Sequence, residues 1–213
     1  MAVIPGSDGE HRLQKTQGTS RKAATFYNKQ MLDYLNASMC EFISRQEMAF
    51  IATSDAKGEC DSSFRAGKPG FVKVLNNKTL AYPEYRGNGV LASLGNILEN
   101  PHIGIMFIDF TQDSIGLHVN GKARIIENDQ ISKETALTKA LPKVPCLDNE
   151  VKPERWVLVD IQEAYIHCSK HIPLFKKLEK TTQWGTDDKA AKGGDFFKTK
   201  NCDRPWNKNK SAD

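Results

Sequence analysis

The sequence predicts a mainly β domain with flanking helices, an α+β arrangement, and three patterns predict it. Between residues 48 and 126 the apolar runs are short, rich in β-branched and aromatic residues, and separated by turn signals. Ile115 to Ile126 alternates: Ile115, Leu117, Val119, Gly121, Ala123 and Ile125 fall on one face and mostly polar residues on the other. Helical spacing of apolar residues is found mainly on the flanks, between residues 20 and 45, and once within the β-rich stretch, after residue 90.

Residues 1–20 are polar, with Gly, Ser and Thr, and read as a flexible N-terminus. Residues 21–45 read as N-terminal helices. Phe26, Met31, Leu32 and Leu35 share a face, and a second helix near Ser38 to Arg45 presents Met39, Phe42 and Ile43 for packing onto the sheet. Met48 to Thr53 is a short buried strand, with its turn at Asp55-Ala56-Lys57-Gly58. The stretch from Asp61 enters a loop at Gly67, Pro69 and Gly70, which makes either room for a ligand edge or a plain wide hairpin. Phe71–Leu75 and Thr79–Pro83 flank Asn76-Asn77-Lys78 and predict a β-hairpin. Leu91, Leu94 and Leu98 predict a helix with Asn88 as its N-cap, stopped by Asn100-Pro101. Ile103–Ile108 is a further strand. Asp129–Leu141 reads as a helix capped by Asp129, residues 142–153 as an irregular connection with three prolines, and Arg155–Gln162 as a final strand. The central domain thus spans 46–170, and 171–213 is a basic C-terminal extension.

The chemistry concentrates where the hairpin runs into the helix. A helix N-terminus offers free N–H groups and the positive end of a dipole, so Arg86-Gly87-Asn88-Gly89 makes a ready anion site. Arg65, Lys73 and Arg86 bring cationic donors, and a phosphate held there would anchor a flat, mostly apolar cofactor. The same local pattern also fits a capped surface helix with solvated Arg and Lys. Glu163 to His171 is a second dense stretch, and His167 beside Cys168 invites a nucleophile-and-base reading. Neighbours in a strand point to opposite faces, however, and no third residue orients the imidazole. A packed Cys and a hydrogen-bonded His compete with that reading.

The ordered series Ala52-Thr53-Ser54-Asp55, Ser63-Phe64-Arg65, Gly70-Phe71-Val72-Lys73-Val74-Leu75, Thr79-Leu80-Ala81-Tyr82-Pro83, Gly87-Asn88-Gly89, Asn96 to Pro101, Ile105 to Ile108 and Val119 to Ala123 resembles the FMN-binding split barrel of the pyridoxamine 5′-phosphate oxidase-related family over roughly residues 45 to 170. The resemblance implies a six-stranded antiparallel barrel, a homodimer, and FMN held between subunits. It places Ser63 and Arg65 on the strand along the flavin and phosphate, Lys73 at a basic position on the next strand, and Tyr82 and Pro83 beside the ring and ribityl chain. Arg86, Gly87, Asn88 and Gly89 then form the phosphate loop, and His167, Lys170 and His171 lie close to the flavin. Two departures are visible. Many relatives carry a second Arg or Lys after the loop Asn, where this chain has Gly89 and Val90. True pyridoxamine phosphate oxidases end in an Arg- and His-containing motif, whereas this chain ends in Asp203-Arg204-Pro205-Trp206 with no histidine after His171, which argues against pyridoxamine phosphate as substrate.

Composition bounds these readings. A chain of 213 residues, 39% hydrophobic and 26% charged, fits one domain with appendages. No charged n-region precedes an apolar run, and no stretch reaches the length of a membrane span, so the expected location is the cytoplasm with no membrane partner. The five cysteines are scattered without CxxC spacing, which favours a reducing compartment over disulfides or zinc, and the five histidines lack HxxH or HExxH spacing. From Lys170 onward there are 11 Lys and Arg against 6 Asp and Glu, while residues 1–169 hold 19 against 20. That basic tail reads as a solvated extension, because no RNP-like motif or basic recognition helix accompanies it to bind nucleic acid. Two functions of different class follow. One is an FMN-dependent oxidoreductase moving electrons to or from a small molecule, with NAD(P)H as a candidate donor. The other is a flavin- or tetrapyrrole-binding module without turnover, a sensor, carrier or scavenger.

Overall fold

The structure, a computed structural model, describes residues 4–141, 152–180, 182–183 and 185–207. The connection expected over 142–153 lies almost wholly outside the described residues, as do Cys146 and Trp184. The chain divides into two compact units, Met1–Leu178 and Glu179–Asp213.

The first unit opens with α1 (Asp8–Thr16), α2 (Ser20–Gln30), β1 (Met31–Leu32) and α3 (Ala37–Ser44). The N-terminus expected to be flexible therefore contains a helix. Its start is a capping box: Ser7 accepts from the Glu10 backbone N–H, and the Glu10 carboxylate accepts from the Ser7 backbone N–H at 2.7 Å. No residue of α1 is buried, which is why hydrophobic periodicity missed it. Met31 and Leu32, expected on a helix face, form β1, which pairs with Tyr165 and Ala164.

The sheet follows: β2 (Met48–Ser54), β3 (Cys60–Ala66), β4 (Lys73–Asn76), β5 (Thr79–Glu84), then α4 (Ala92–Glu99), β6 (His102–Asp109), β7 (Ile115–Glu127), α5 (Thr135–Ala140) and β8 (Arg155–His167). All pairings are antiparallel in the order β3-β2-β6-β7-β8-β5-β4, with β1 added to β8. The expected mainly β, antiparallel architecture with flanking helices is present, but among the described residues the sheet has eight strands rather than six and its backbone ladder stays open. One added strand is β1. The predicted hairpin is present, as a short β4 and a full β5.

Side-chain alternation decides where the core lies. Ala49 and Ile51 of β2, Ile103, Ile105 and Phe107 of β6, Leu117 and Val119 of β7, Leu80 and Tyr82 of β5, and Val157 and Val159 of β8 point into one cluster with Leu94 and Ile97 of α4. Burying each large member stabilises the fold by about 1.5–3 kcal/mol relative to exposure. The other face of β5 and β8 is buried too. There Ala81, Trp156 and Leu158 meet Ile126 and Leu137 of α5. The final strand therefore reads as a continuous apolar run, and it continues to His167, beyond the expected end at Gln162.

Two helix assignments need correction. The helix expected over 129–141 is broken at Glu134: Asn128–Lys133 is a 3-10 helix whose cap is Glu127, not Asp129, and α5 follows it. In α4 the buried residues are Ser93, Leu94 and Ile97, while Leu91 and Leu98 are exposed, so the expected Leu91–Leu94–Leu98 stripe is not the packing face.

In the second unit the Asp195 carboxylate accepts from the backbone N–H groups of Thr199 and Lys200, bonds that hold its pKa below the usual aspartate value. Arg204 donates to the carbonyls of Cys202 and Thr199 of its own segment.

Candidate functional site

Asp61, Ser63 and Arg65 alternate along β3 and lie opposite Thr53, Ile51 and Ala49 of β2, so all three face the inside of the sheet. Ser63 donates to the Asp61 carboxylate at 2.9 Å. Ser93, in the first turn of α4, donates to the same Asp61 oxygen at 2.7 Å and lies 3.1 Å from the Ser63 hydroxyl. Two hydroxyls and one carboxylate thereby tie β3 to the start of α4.

Arg65 reaches β5. Its Nε donates to Glu84 Oε1 at 2.9 Å, its Nη2 lies 2.8 Å from the same oxygen, and its Nη1 donates to the Phe64 carbonyl at 3.1 Å. Glu84 is buried. Desolvation pushes its carboxyl above the usual glutamate range, against the pull of Arg65 and Arg155. Tyr82, two residues earlier on the same face, is also buried. Burial holds its phenol protonated, and its hydroxyl has no hydrogen-bond partner among the described residues. Arg155 stands directly opposite Glu84 on β8, and Glu127 of β7 stands opposite Arg155, so charges alternate along that end of the sheet interior.

Residues 85–91 connect β5 to α4. Asn88 is not the N-cap. Its side-chain oxygen accepts from the Val90 backbone N–H at 2.9 Å and so stays in the loop. The cap position is Leu91, in the left-handed region at φ 57, and it gives the helix no side-chain hydrogen bond. The first-turn N–H groups of α4 thus lack a side-chain cap, which is the state that receives an anion. Gly89 has φ 80, a conformation that other residues reach only with strain, and a Cβ at Gly87 or Gly89 would meet nothing within 4 Å.

Ser63, Arg65 and Tyr82 thus face the sheet interior, while the 86–89 loop is exposed beyond the end of β5. Lys73 and Pro83 do not share that face. Lys73 is in register with Ala81, and Pro83 with Trp156, on the side of the sheet that packs α5. Lys73 Nζ donates to the Gly70 carbonyl at 2.7 Å. The loop before it leaves no ligand slot at Gly67, where a Cβ would stand 2.3 Å from Phe71 Cβ. Phe71 already fills that space.

Of the second-tier residues, His167 lies on the outer face. His167 ends β8, and Lys170 and His171 sit exposed in the 3-10 turn Ser169–His171. The partner of His167 is His118 rather than Cys168: Nδ1 of His167 is 2.8 Å from Nε2 of His118. The His118 ring stacks on Tyr165 at 4.8 Å, and Phe26 of α2 meets Tyr165 edge-on at 5.8 Å. Burial, with the neighbouring His167, holds the His118 pKa below its ordinary value. Phe64, Phe50, Met106, His118 and Tyr165 stand directly opposite one another on five successive strands and form one row across this face.

Sequence reasoning missed Ser93, Glu84 and His118 as members of these clusters. Ser93 carried a signal, a hydroxyl just inside a helix start. Glu84 and His118 carried none, because their roles depend on strands far apart in the chain. Two grooves lie away from Arg65: one of about 580 Å³ includes Met39, Phe42, Arg45, Ile115 and Ile166, and one of about 820 Å³ includes Ala52, Gly104, Asn120 and Glu163. Among the described residues no three His, Cys, Asp or Glu side chains are grouped to hold a metal ion, and no helix is long and apolar enough to cross a membrane.

Among solved structures, the chain is similar to HupZ of Group A Streptococcus, at 22% identity and TM-score 0.45 over 62% of this chain and 93% of that one. It is similar to HutZ of Vibrio cholerae, a heme storage protein, at 16% identity and TM-score 0.39 over 62% and 94%. It is also similar to General Stress Protein 26 of Bacillus anthracis, at 16% identity and TM-score 0.39 over 59% and 88%. No curated protein matches significantly. The sequence model of the family described as pyridoxamine 5′-phosphate oxidase matches residues 35–168, from two residues before α3 to one past β8, and the chain belongs to that family.

Proposed function

We propose that the chain binds FMN and acts as a flavin-dependent oxidoreductase on a small molecule. The carrying observation is the uncapped start of α4, linked through Ser93 and Asp61 to Ser63 of the strand that bears Arg65, in a chain of this family. The residues fit a phosphate monoester: N–H groups at the helix start and the Arg65 guanidinium are donors, and the Ser63 and Ser93 hydroxyls, both donating to Asp61, tie the two together. The buried Tyr82 hydroxyl lacks a partner among the described residues, and a ribityl hydroxyl would supply one. Bound flavin supplies the redox chemistry, accepting and returning electron pairs, while the chain supplies binding and orientation. No GxGxxG fingerprint is present, so NADH or NADPH would dock only transiently on the exposed flavin face.

Pyridoxamine phosphate is not the proposed substrate. A phosphorylated substrate needs its own anion site, and Arg204 spends its guanidinium on carbonyls of its own segment. The proposed assembly is a twofold homodimer, and the outer-face row ending in the exposed Phe64 is the surface that supports it. The alternative is a flavin- or tetrapyrrole-binding module without turnover. Its specific support is the half-buried His118–His167 pair, whose imidazoles are suited to ligate iron.

The test is anaerobic mixing of FMN-loaded protein with NADH, NADPH and pyridoxamine phosphate in turn, following flavin bleaching. Bleaching by a nicotinamide supports the proposal. Rapid bleaching by pyridoxamine phosphate overturns the substrate exclusion. Tightly bound flavin that no donor bleaches favours the binding module, as does a Soret band in the purified protein.

A further inference from the structure

A phosphate site asks for cations and N–H donors, yet this one holds a buried carboxylate. Glu84 is 8% exposed at the inner end of β5. The charged groups around it are Arg65 from β3 and Arg155 from β8, with the Tyr82 phenol on its own strand and Glu127 of β7 next along the row. A buried carboxylate is costly, and here it is placed to grip one guanidinium.

The grip has a defined geometry. Arg65 Nε and Nη2 both go to Glu84 Oε1, and Nη1 goes to the Phe64 carbonyl. A guanidinium has five N–H donors fixed in one plane. Two hydrogen-bond among the described residues, Nε–H to Glu84 and Nη1–H to the Phe64 carbonyl, while Nη2 lies against the same Glu84 oxygen, and these partners on two different strands fix that plane. The edge shared by Nη1 and Nη2 lies away from the Nε–H that Glu84 holds, and such an edge is the fork that receives a phosphate in bidentate fashion. A long Arg side chain that is already immobilised loses less rotamer freedom when its ligand arrives.

We propose that Glu84 is a positioning residue of the phosphate site: it clamps Arg65 from β5, so that the guanidinium edge turned away from the carboxylate is presented to the FMN phosphate. This rests on the FMN reading above and deepens it. Glu84 touches no ligand and acts through Arg65.

The test titrates FMN and riboflavin, which lacks the phosphate, into the full chain by flavin fluorescence, for wild type, Arg65→Ala, Glu84→Ala, Glu84→Gln and Arg65→Ala/Glu84→Ala. Wild type is expected to prefer FMN. Glu84→Ala reduces that preference about tenfold, with riboflavin affinity within about twofold of wild type, as expected for disturbing one charge-assisted contact. In the Arg65→Ala background, adding Glu84→Ala changes FMN affinity less than about twofold, because a residue acting through Arg65 has nothing left to position. Equal losses for both flavins, additive losses in the double variant, or tighter FMN binding by Glu84→Ala each overturn the proposal. Should Glu84→Ala not fold, the near-isosteric Glu84→Gln decides: a lower FMN preference supports positioning, and an unchanged one refutes it. A wild type that binds both flavins equally removes the phosphate reading itself, whereas a phosphate preference that all Glu84 variants keep removes only this role.

Discussion

Arg65 and Glu84 stand on β3 and β5, strands separated by β2, β6, β7 and β8 in the hydrogen-bonded order, yet their side chains meet at 2.8 Å. The ion pair thus joins, through side chains, two parts of the sheet that the backbone ladder leaves apart.

Arg65→Ala removes that link and, in the proposed function, the main cation for the phosphate. Unfolding free energy should fall by about 1.5–3 kcal/mol, the usual worth of hydrogen bonds to a charged group. FMN affinity should fall about ten- to a hundredfold. Because Arg65→Ala strands Glu84 without its partner, Arg65→Ala/Glu84→Ala should be no less stable than Arg65→Ala alone. Denaturant titration of the two variants checks the order.

Glu84 also makes a pH prediction. Its folded-state pKa is raised above the ordinary value of 4.5, chiefly by burial. Above 4.5 the folded protein holds this proton more tightly than the unfolded chain, so Glu84 takes stability away as pH rises, until pH passes the raised value. Relative to wild type, Glu84→Gln should therefore gain melting temperature between pH 4 and pH 7 (a range of about three units around that window). A difference that stays flat or runs the other way contradicts the burial argument.

Much of this architecture was legible in local pattern. The strands β2, β6 and β7 followed from alternation and turn residues, and β5 from its apolar run beside Asn76-Asn77-Lys78. What escaped was structure set by tertiary partners. Met31 and Leu32 look helical until β8 is there to pair with them. Asn88 looks like a cap, but Val90 and Leu91 intervene, and its side chain turns back onto the Val90 N–H. The side-chain link between β3 and β5 runs through Glu84, which no local sequence pattern marks. Of the site, Ser63, Arg65, Tyr82 and the 86–89 loop were named from the resemblance, while their inward neighbours Ser93 and Glu84 were not. Lys73 and Pro83 were named too, and lie on the other face because strand alternation places them there.

His118 gives a second pH effect of opposite sign. Its folded pKa is held below 6.5 by burial first and by His167 second. The folded state releases this proton at lower pH than the unfolded chain, so its contribution to stability is lost as pH falls from 6.5 toward the depressed value. His118→Phe keeps a ring against Tyr165 and should flatten that acid-side loss. Thermal unfolding of both proteins across this window is the check.

The outer-face row predicts the assembly surface. Phe64 is 55% exposed and packs on Phe50 at 5.5 Å. In a twofold dimer built on this face, Phe64→Glu buries a charge and should shift the protein toward monomer by light scattering. Wild type that is already monomeric at micromolar concentration with flavin bound would sink the assembly proposal.

The most direct test of the central claim is equilibrium titration of purified wild-type protein with FMN and with riboflavin. An anion site at the start of α4, served by Arg65, predicts that FMN binds at least about tenfold more tightly, since the phosphate adds charge-assisted hydrogen bonds that riboflavin cannot make. Equal affinity for the two flavins, or no binding of either, would contradict it.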